Sequence, residues 1–196
     1  GALSLTALTS QLVKYADEFT NINNTIRLAT NGTQEFAIAQ KELFRIAQET
    51  KTSFSTTTEL YRKFSVATDS LGVSQERLLK VISSINKAGI IGGGDKSSIE
   101  AALTQLGQGL MEGTLRGDEL NSVLGQTPRL ANAIADGMGI AQDKLRAMAM
   151  EGKITAEQIV IALEKQGIVL DREYAVMASK VSDAMTTVNN SILVAI

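Results

Sequence analysis

The 196-residue sequence has no cysteine and no histidine. Those two absences remove disulfides, thiolate nucleophiles, zinc fingers, imidazole metal sites and any triad that turns on histidine. Chemistry would have to run on carboxylates, Lys, Ser, Thr or Tyr. Tryptophan is absent as well, which takes away the aromatic platforms that sugar clefts rely on. An excess of one charge is also missing: 19 basic and 21 acidic residues leave a net charge of -2, and no basic run is longer than Arg62-Lys63. Duplex affinity comes largely from clustered Lys and Arg neutralising phosphates, so nothing electrostatic draws this chain to nucleic acid. No stretch approaches 18 consecutive apolar residues, the length of a membrane-spanning helix.

The opening residues, Gly1 to Ser4, have no charged region ahead of an apolar run and do not read as a signal peptide. The last six, Ser191 to Ile196, stop inside an apolar run, which leads us to expect a piece of a longer protein. Without a secretory context, the Asn-x-Ser/Thr triplets at Asn23, Asn31 and Asn189 read as chance matches.

A hydrophobic content of 44% and a mean hydropathy of +0.05 are enough to bury a core. The length suits one compact domain or two small ones. With Pro128 as the only proline and abundant Ala, Leu, Gln, Glu and Lys, the composition favours helix. Seven of the eight aromatics precede residue 65, and twelve of the sixteen glycines lie between Gly89 and Gly152. The aromatic third is expected to have the larger core, and the glycine-rich part short helices and tight turns.

Apolar spacing of three and four then outlines the helices. Leu5, Leu8, Leu12, Tyr15, Phe19 and Ile22 line a first helix ending between 21 and 31. Thr33 is expected to cap a second, with Phe36, Ala39, Leu43 and Ile46 inward. A third starts near 55–58, carries Leu60, Phe64, Ala67 and Leu71, and stops at Gly72. Ser74 caps a fourth, with Leu78, Ile82 and Ile85 inward and Gly89 as its stop. Ser97-Ser98-Ile99-Glu100 reads as a capping box for a fifth, with Ile99, Leu103, Leu106 and Leu110 inward. Beyond Gly113, Asp118 is expected to cap a short helix with Leu120, Val123 and Leu124. Thr127 caps the next, with Pro128 in its first turn, Leu130 and Ile134 inward, and Gly137 and Gly139 ending it. A helix near 141–151 carries Leu145 and Met148. Thr155 and Gln158 form another capping box ahead of Ile159 and Leu163. A last stripe runs through Tyr174, Met177, Val181, Met185, Val188 and Ile192. No segment alternates as a strand would.

The expected fold is therefore all-α: a compact multi-helix domain of about nine or ten helices with long first and last helices. Residues 1–30 form an N-terminal amphipathic helix. Residues 31–168 form the compact domain, with longer helices over 33–112 and a short-helix, glycine-rich part over 113–168. Residues 169–196 form a C-terminal helix that continues beyond the sequence. The stripes of the first and last helices are expected to pack on each other or on a second copy.

Four motifs invite a chemical reading. Gly89 to Ser98 resembles a phosphate loop, but Asp95 stands before Lys96 where that motif requires glycine, and a helix precedes it where a strand is needed. Residues 130–148 have the rhythm of a DNA-binding helix-turn-helix, with Gln142, Asp143, Lys144 and Arg146 on the reading helix. From Thr127 to Lys153, however, four bases meet three acids, a thin net charge for a duplex reader. Arg116-Gly117-Asp118 matches an adhesion tripeptide, yet a helix-breaking glycine and a capping Asp explain it. Glu112, Asp118 and Glu119 are close enough in sequence to suggest a hydrolase's paired carboxylates, but each also fits a cap or a solvated face. No catalytic, cofactor-binding or metal-binding residue is assigned, and neither nucleic acid nor a small-molecule ligand is expected.

The run from Gly113 to Leu163 is more specific. It contains Leu115-Arg116-Gly117-Asp118-Glu119, Pro128-Arg129-Leu130-Ala131, Ala135-Asp136-Gly137-Met138-Gly139 and Glu151-Gly152-Lys153-Ile154-Thr155. Together with 33–50, 55–88 and Gln105 to Leu110, it resembles the N-terminal conserved region of bacteriophage tail tape measure proteins. The resemblance covers most of residues 25–165. It implies a non-enzymatic assembly role for a long helical chain in the lumen of the tail tube, whose length sets tail length and which leaves ahead of the DNA. The implied partners are tail tube protein, tail assembly chaperones and tail-tip proteins, with self-association possible. The implied locations are the virion tail and, during assembly, the host cytoplasm. The alternative is a DNA-binding regulator using residues 130–148. A helical ruler gains about 1.5 Å per residue, but glycines and caps interrupt this segment. Either flanking sequence does the measuring, or this body extends inside the tube.

Overall fold

The computed structural model describes residues 5–93 and 95–195, with side chains described for 10–93 and 95–178. The stripe positions Leu5, Leu8, Val181, Met185, Val188 and Ile192 lie outside the described side chains.

Among the described residues, nine α-helices follow one another: α1 (Leu5–Leu28), α2 (Thr33–Thr50), α3 (Phe54–Thr68), α4 (Gln75–Ile91), α5 (Lys96–Met111), α6 (Gly117–Gln126), α7 (Pro128–Met138), α8 (Gln142–Met150) and α9 (Ala156–Ala195). A 3-10 turn, Asp69–Leu71, follows α3. The all-α expectation holds. One detail escaped it: β1 (Thr114–Leu115) pairs antiparallel with β2 (Ile154–Thr155), in the register Thr114 to Thr155 and Leu115 to Ile154. Two residues are too few to show the period-2 pattern of a strand. The bridge closes the α6–α8 segment into a loop tied at its base.

Several helix ends differ from the sequence reading. Thr33 is the first residue of α2, not its cap; Gly32 precedes it at φ 90, and Glu35 accepts the Asn31 N–H at 2.7 Å. α3 begins at Phe54 because Ser53 Oγ accepts the Thr56 N–H. Ser74 caps α4 as expected, but Gly89 lies inside that helix, which runs on to Ile91. A Cβ at Gly89 would come within 2.9 Å of Ile99 Cγ2, so the glycine serves a close approach to α5 and does not end the helix. The cap of α5 is Asp95, whose carboxylate accepts from Ser98 N and from the Ser97 and Ser98 hydroxyls. That arrangement replaces the expected Ser97–Glu100 box.

Asp118 sits inside the first turn of α6, and Glu119 accepts the Arg116 N–H at 3.1 Å. Thr127 makes no side-chain cap for α7, because its hydroxyl donates to the Val123 carbonyl. Gly139, at φ 70, ends α7, while Gly137 lies within it. Thr155 and Gln158 do form a reciprocal capping box for α9.

The core is one continuous cluster. Leu43 and Ile46 of α2, Leu60 and Phe64 of α3, Ile82 and Ile85 of α4, and Ile99, Leu103, Leu106 and Leu110 of α5 are all essentially solvent-free. Leu130 and Ile134 of α7 and Ile159 and Leu163 of α9 complete it. α4 is the hub, packing against α2, α3, α7 and α9. The expected aromatic core is smaller than the count suggested: Tyr61 and Phe64 are buried, but Tyr15, Phe19 and Phe44 are at least half exposed. Leu71, expected inward, is 42% exposed on the 3-10 turn.

Candidate functional site

Each of the four motifs has residues that the fold puts to structural use. At the start of α5 the position that could hold a phosphate is filled by the chain's own anion. Hydrogen bonds from the Ser97 and Ser98 hydroxyls and the Ser98 N–H hold the Asp95 carboxyl far below the usual carboxylate range. A phosphate would have to displace a carboxylate that stays charged. In the helix-turn-helix segment, α7 and α8 are joined by residues 139–141, and Leu145 and Ala149 face inward. The outer face of α8 carries Asp143, Lys144 and Arg146 and ends at Met150, which is 82% exposed. Such a mixed face offers phosphates little, and Gln142 already donates to Asn132 at 2.9 Å.

Arg116-Gly117-Asp118 is the entry to α6, not a projecting loop. Of the three carboxylates singled out, Glu119 is taken up by its own helix N-terminus. Among the described residues, no group of three Asp or Glu is placed to hold a metal ion. None of the described helices is long and apolar enough to cross a membrane.

What the fold does build is an anchorage for one long helix. The backbone of α9 runs unbroken for 40 residues, about 60 Å at 1.5 Å per residue. Its first half is seated between α4 and α7. Ile159, Val160, Ala162, Leu163 and Leu170 are buried. At the crossing with α7, a Cβ on Gly137 would lie 2.2 Å from the Ala162 carbonyl oxygen, so only glycine lets the two backbones touch.

Ion pairs bind both sides of α9. Arg77 of α4 grips Glu164 with two hydrogen bonds, at 2.6 and 2.8 Å. Lys87 of α4 pairs with Asp171 at 2.6 Å. Asp171 is seven residues, about two turns, beyond Glu164, which puts both on the α4 side. Glu173 is nine residues beyond Glu164, half a turn round, and takes two hydrogen bonds from Arg129 of α7, at 2.6 and 3.1 Å. Tyr174 then donates its hydroxyl to the Glu49 carbonyl at the end of α2. The Glu164 carboxyl is held below its ordinary value, chiefly by the hydrogen bonds from Arg77, with burial acting against them. The Arg77 guanidinium is raised by the same contact.

Alongside this seat, α2, α4 and α9 enclose an open groove of about 840 Å³, with Ile38, Ile46, Leu79 and Ile168 among its walls. The sequence reading missed all of these pairings. Glu164 and Asp171 seven residues apart were a usable sign of one polar edge, but nothing in the sequence marks Arg77, Lys87 and Arg129 as their partners.

Comparison with known proteins agrees with a structural assignment. No curated protein and no solved structure matches the chain. A family model does, over residues 10–196, under the description Tape measure protein. The chain therefore belongs to the tape measure protein family, a structural family of the phage tail.

Proposed function

We infer that this segment is the anchor of the tape: a compact helical body that holds the root of a long helix, from which length-setting helical chain extends. The observation that carries this reading is α9, one continuous helix with its first half fixed by a core seat and three ion pairs, and a further 21 residues of helix beyond Tyr174. Those 21 residues alone span about 32 Å. On this reading the body stays folded and contributes a fixed offset, and the chain beyond it contributes length in proportion to its residues. Tail tube protein polymerises around the extended part in the lumen. Assembly chaperones cover the apolar helix faces in the host cytoplasm before the tube closes, and tail-tip proteins meet the body. Release of the tape ahead of the DNA then requires no chemistry from this chain, only the loss of those coverings.

The test is tail length by electron microscopy in phage carrying altered copies of the gene. Duplicating residues 178–195 in frame adds 18 residues and should lengthen tails by about 27 Å. Deleting residues 113–150, which include α6, α7 and α8, should abolish tails and not shorten them. Tails of unchanged length after the duplication would contradict the reading.

A further inference from the structure

Asn31 stands apart from the other asparagines of the chain. Among those with described side chains, Asn21, Asn23 and Asn24 lie in α1, Asn86 in α4, Asn121 in α6 and Asn132 in α7. A helix commits the amide N–H that follows each of them to a carbonyl one turn back and holds ψ at about −42°. Asn31 lies instead in the bend between α1 and α2, exposed, as is Gly32 after it. The Asn31 backbone N–H is held by the Glu35 carboxylate at 2.7 Å. Among the described residues, nothing pairs with the Asn31 side chain or with the Gly32 N–H. Gly32 sits at φ 90, a conformation that glycine adopts readily and other residues do not. A Cβ placed there would meet nothing within 4 Å. The bend thus requires, directly after an exposed asparagine, the residue that leaves its own nitrogen unshielded.

We propose that Asn31 is a self-modification site, which converts to aspartate and isoaspartate by attack of the Gly32 nitrogen on the Asn31 side-chain amide. The asparagine amide is a chemically labile group. The Gly32 nitrogen gives up its proton and bonds to Asn31 Cγ. The bond from Cγ to Nδ2 breaks, and Nδ2 leaves as ammonia, which carries that proton away. Water then opens the five-membered imide at either carbonyl, so water is the only co-reactant. Attack at Cγ restores the original backbone with a carboxylate side chain. Attack at the backbone carbonyl carbon leaves the chain running through Cβ and Cγ, longer by a methylene. Both products set a new negative charge beside Glu35 at the entrance to α2. The longer product also extends the elbow through which α1 joins the body, next to the Ala29 carbonyl that accepts from the Tyr61 and Ser65 hydroxyls at 3.5 and 3.3 Å. The site lies away from the seat of α9, and the inference holds whether or not the body anchors a ruler.

Peptide mapping of the 196-residue chain tests it, with folded protein aged for days in neutral buffer at physiological temperature and compared with a fresh sample. Trypsin releases residues 28–41, bounded by Arg27 and Lys41, with Asn31 as their only asparagine. That segment should gain the mass of amide-to-acid exchange and accept methyl groups from isoaspartyl methyltransferase. It should do so at about the rate of the same segment aged as a free peptide. Peptides carrying Asn21, Asn86, Asn121 or Asn132 should stay unchanged over the same time. Asn31→Gln, which could cyclise only through a larger ring, should melt like the parent and carry neither mark in 28–41. A folded chain that keeps 28–41 intact while the free peptide converts overturns the proposal, because the bend then shields the amide. Conversion of the helical asparagines at the same rate overturns it as well, since the bend would then contribute nothing.

Discussion

Gly137 shows how much of this molecule rests on single atoms. In the sequence it reads as a helix stop, two residues ahead of a genuine one at Gly139. In the structure it is the point where α7 and α9 touch backbone to backbone, and any side chain would strike the Ala162 carbonyl. Gly137→Ala is therefore expected to cost at least about 3 kcal/mol, because a helical backbone on each side cannot yield locally. Denaturant unfolding measures it, and a cost below about 1 kcal/mol would show that the crossing is looser than described. Glycine has two uses, positive φ and close approach, and a sequence does not say which applies. Gly89 and Gly137 were misread for that reason, whereas Gly72 and Gly139 were read correctly. Caps slipped for a related reason. Asp95 and Ser97, or Asp118 and Glu119, are neighbours with similar hydrogen-bonding ability, and backbone geometry chooses between them. Inward positions such as Leu103, Leu106, Leu130 and Ile134 were legible because helical period is a property of the sequence itself.

At the scale of elements, α9 is governed by its cap and its clamps. The Thr155–Gln158 box was visible in the sequence because both of its halves lie within four residues. The clamp was not, since Arg77 and Glu164 are 87 residues apart and only the assembled fold brings them together. Their pairing has a consequence for pH. The folded carboxyl of Glu164 lies below its unfolded value, which is about 4.3 for a glutamate. Its contribution to stability is therefore present in full above that unfolded value and lost as the pH falls through the lower folded one. Glu164→Gln removes the titration. Melting temperatures of the parent and Glu164→Gln should differ at neutral pH and draw together as the pH falls below about 4.3, the unfolded value. A gap that persists unchanged at pH 3 would show that the carboxylate charge is not what the Arg77 contact uses. The boundary expected near residue 168 falls inside α9, whose backbone is continuous through that point.

At the scale of the whole molecule, composition already implied an all-helical body without nucleophilic thiols or imidazoles. Which helix faces meet could not be read from one chain. α1 and α9 each look like a long amphipathic helix in need of a partner, yet the body seats the beginning of α9 and the end of α1. An anchor for the tape requires α9 to be one stiff rod rooted in that body. The chain has no cysteine, so spin labels can be placed at two introduced cysteines without background. Lys165→Cys lies in the seated half and Ser191→Cys in the outer half, 26 residues apart. An uninterrupted helix sets their backbones about 39 Å apart. Pulsed electron–electron double resonance should give a single narrow distance distribution near that value. A broad distribution, or a maximum well short of it, would mean that α9 is broken beyond its seat and would contradict the account.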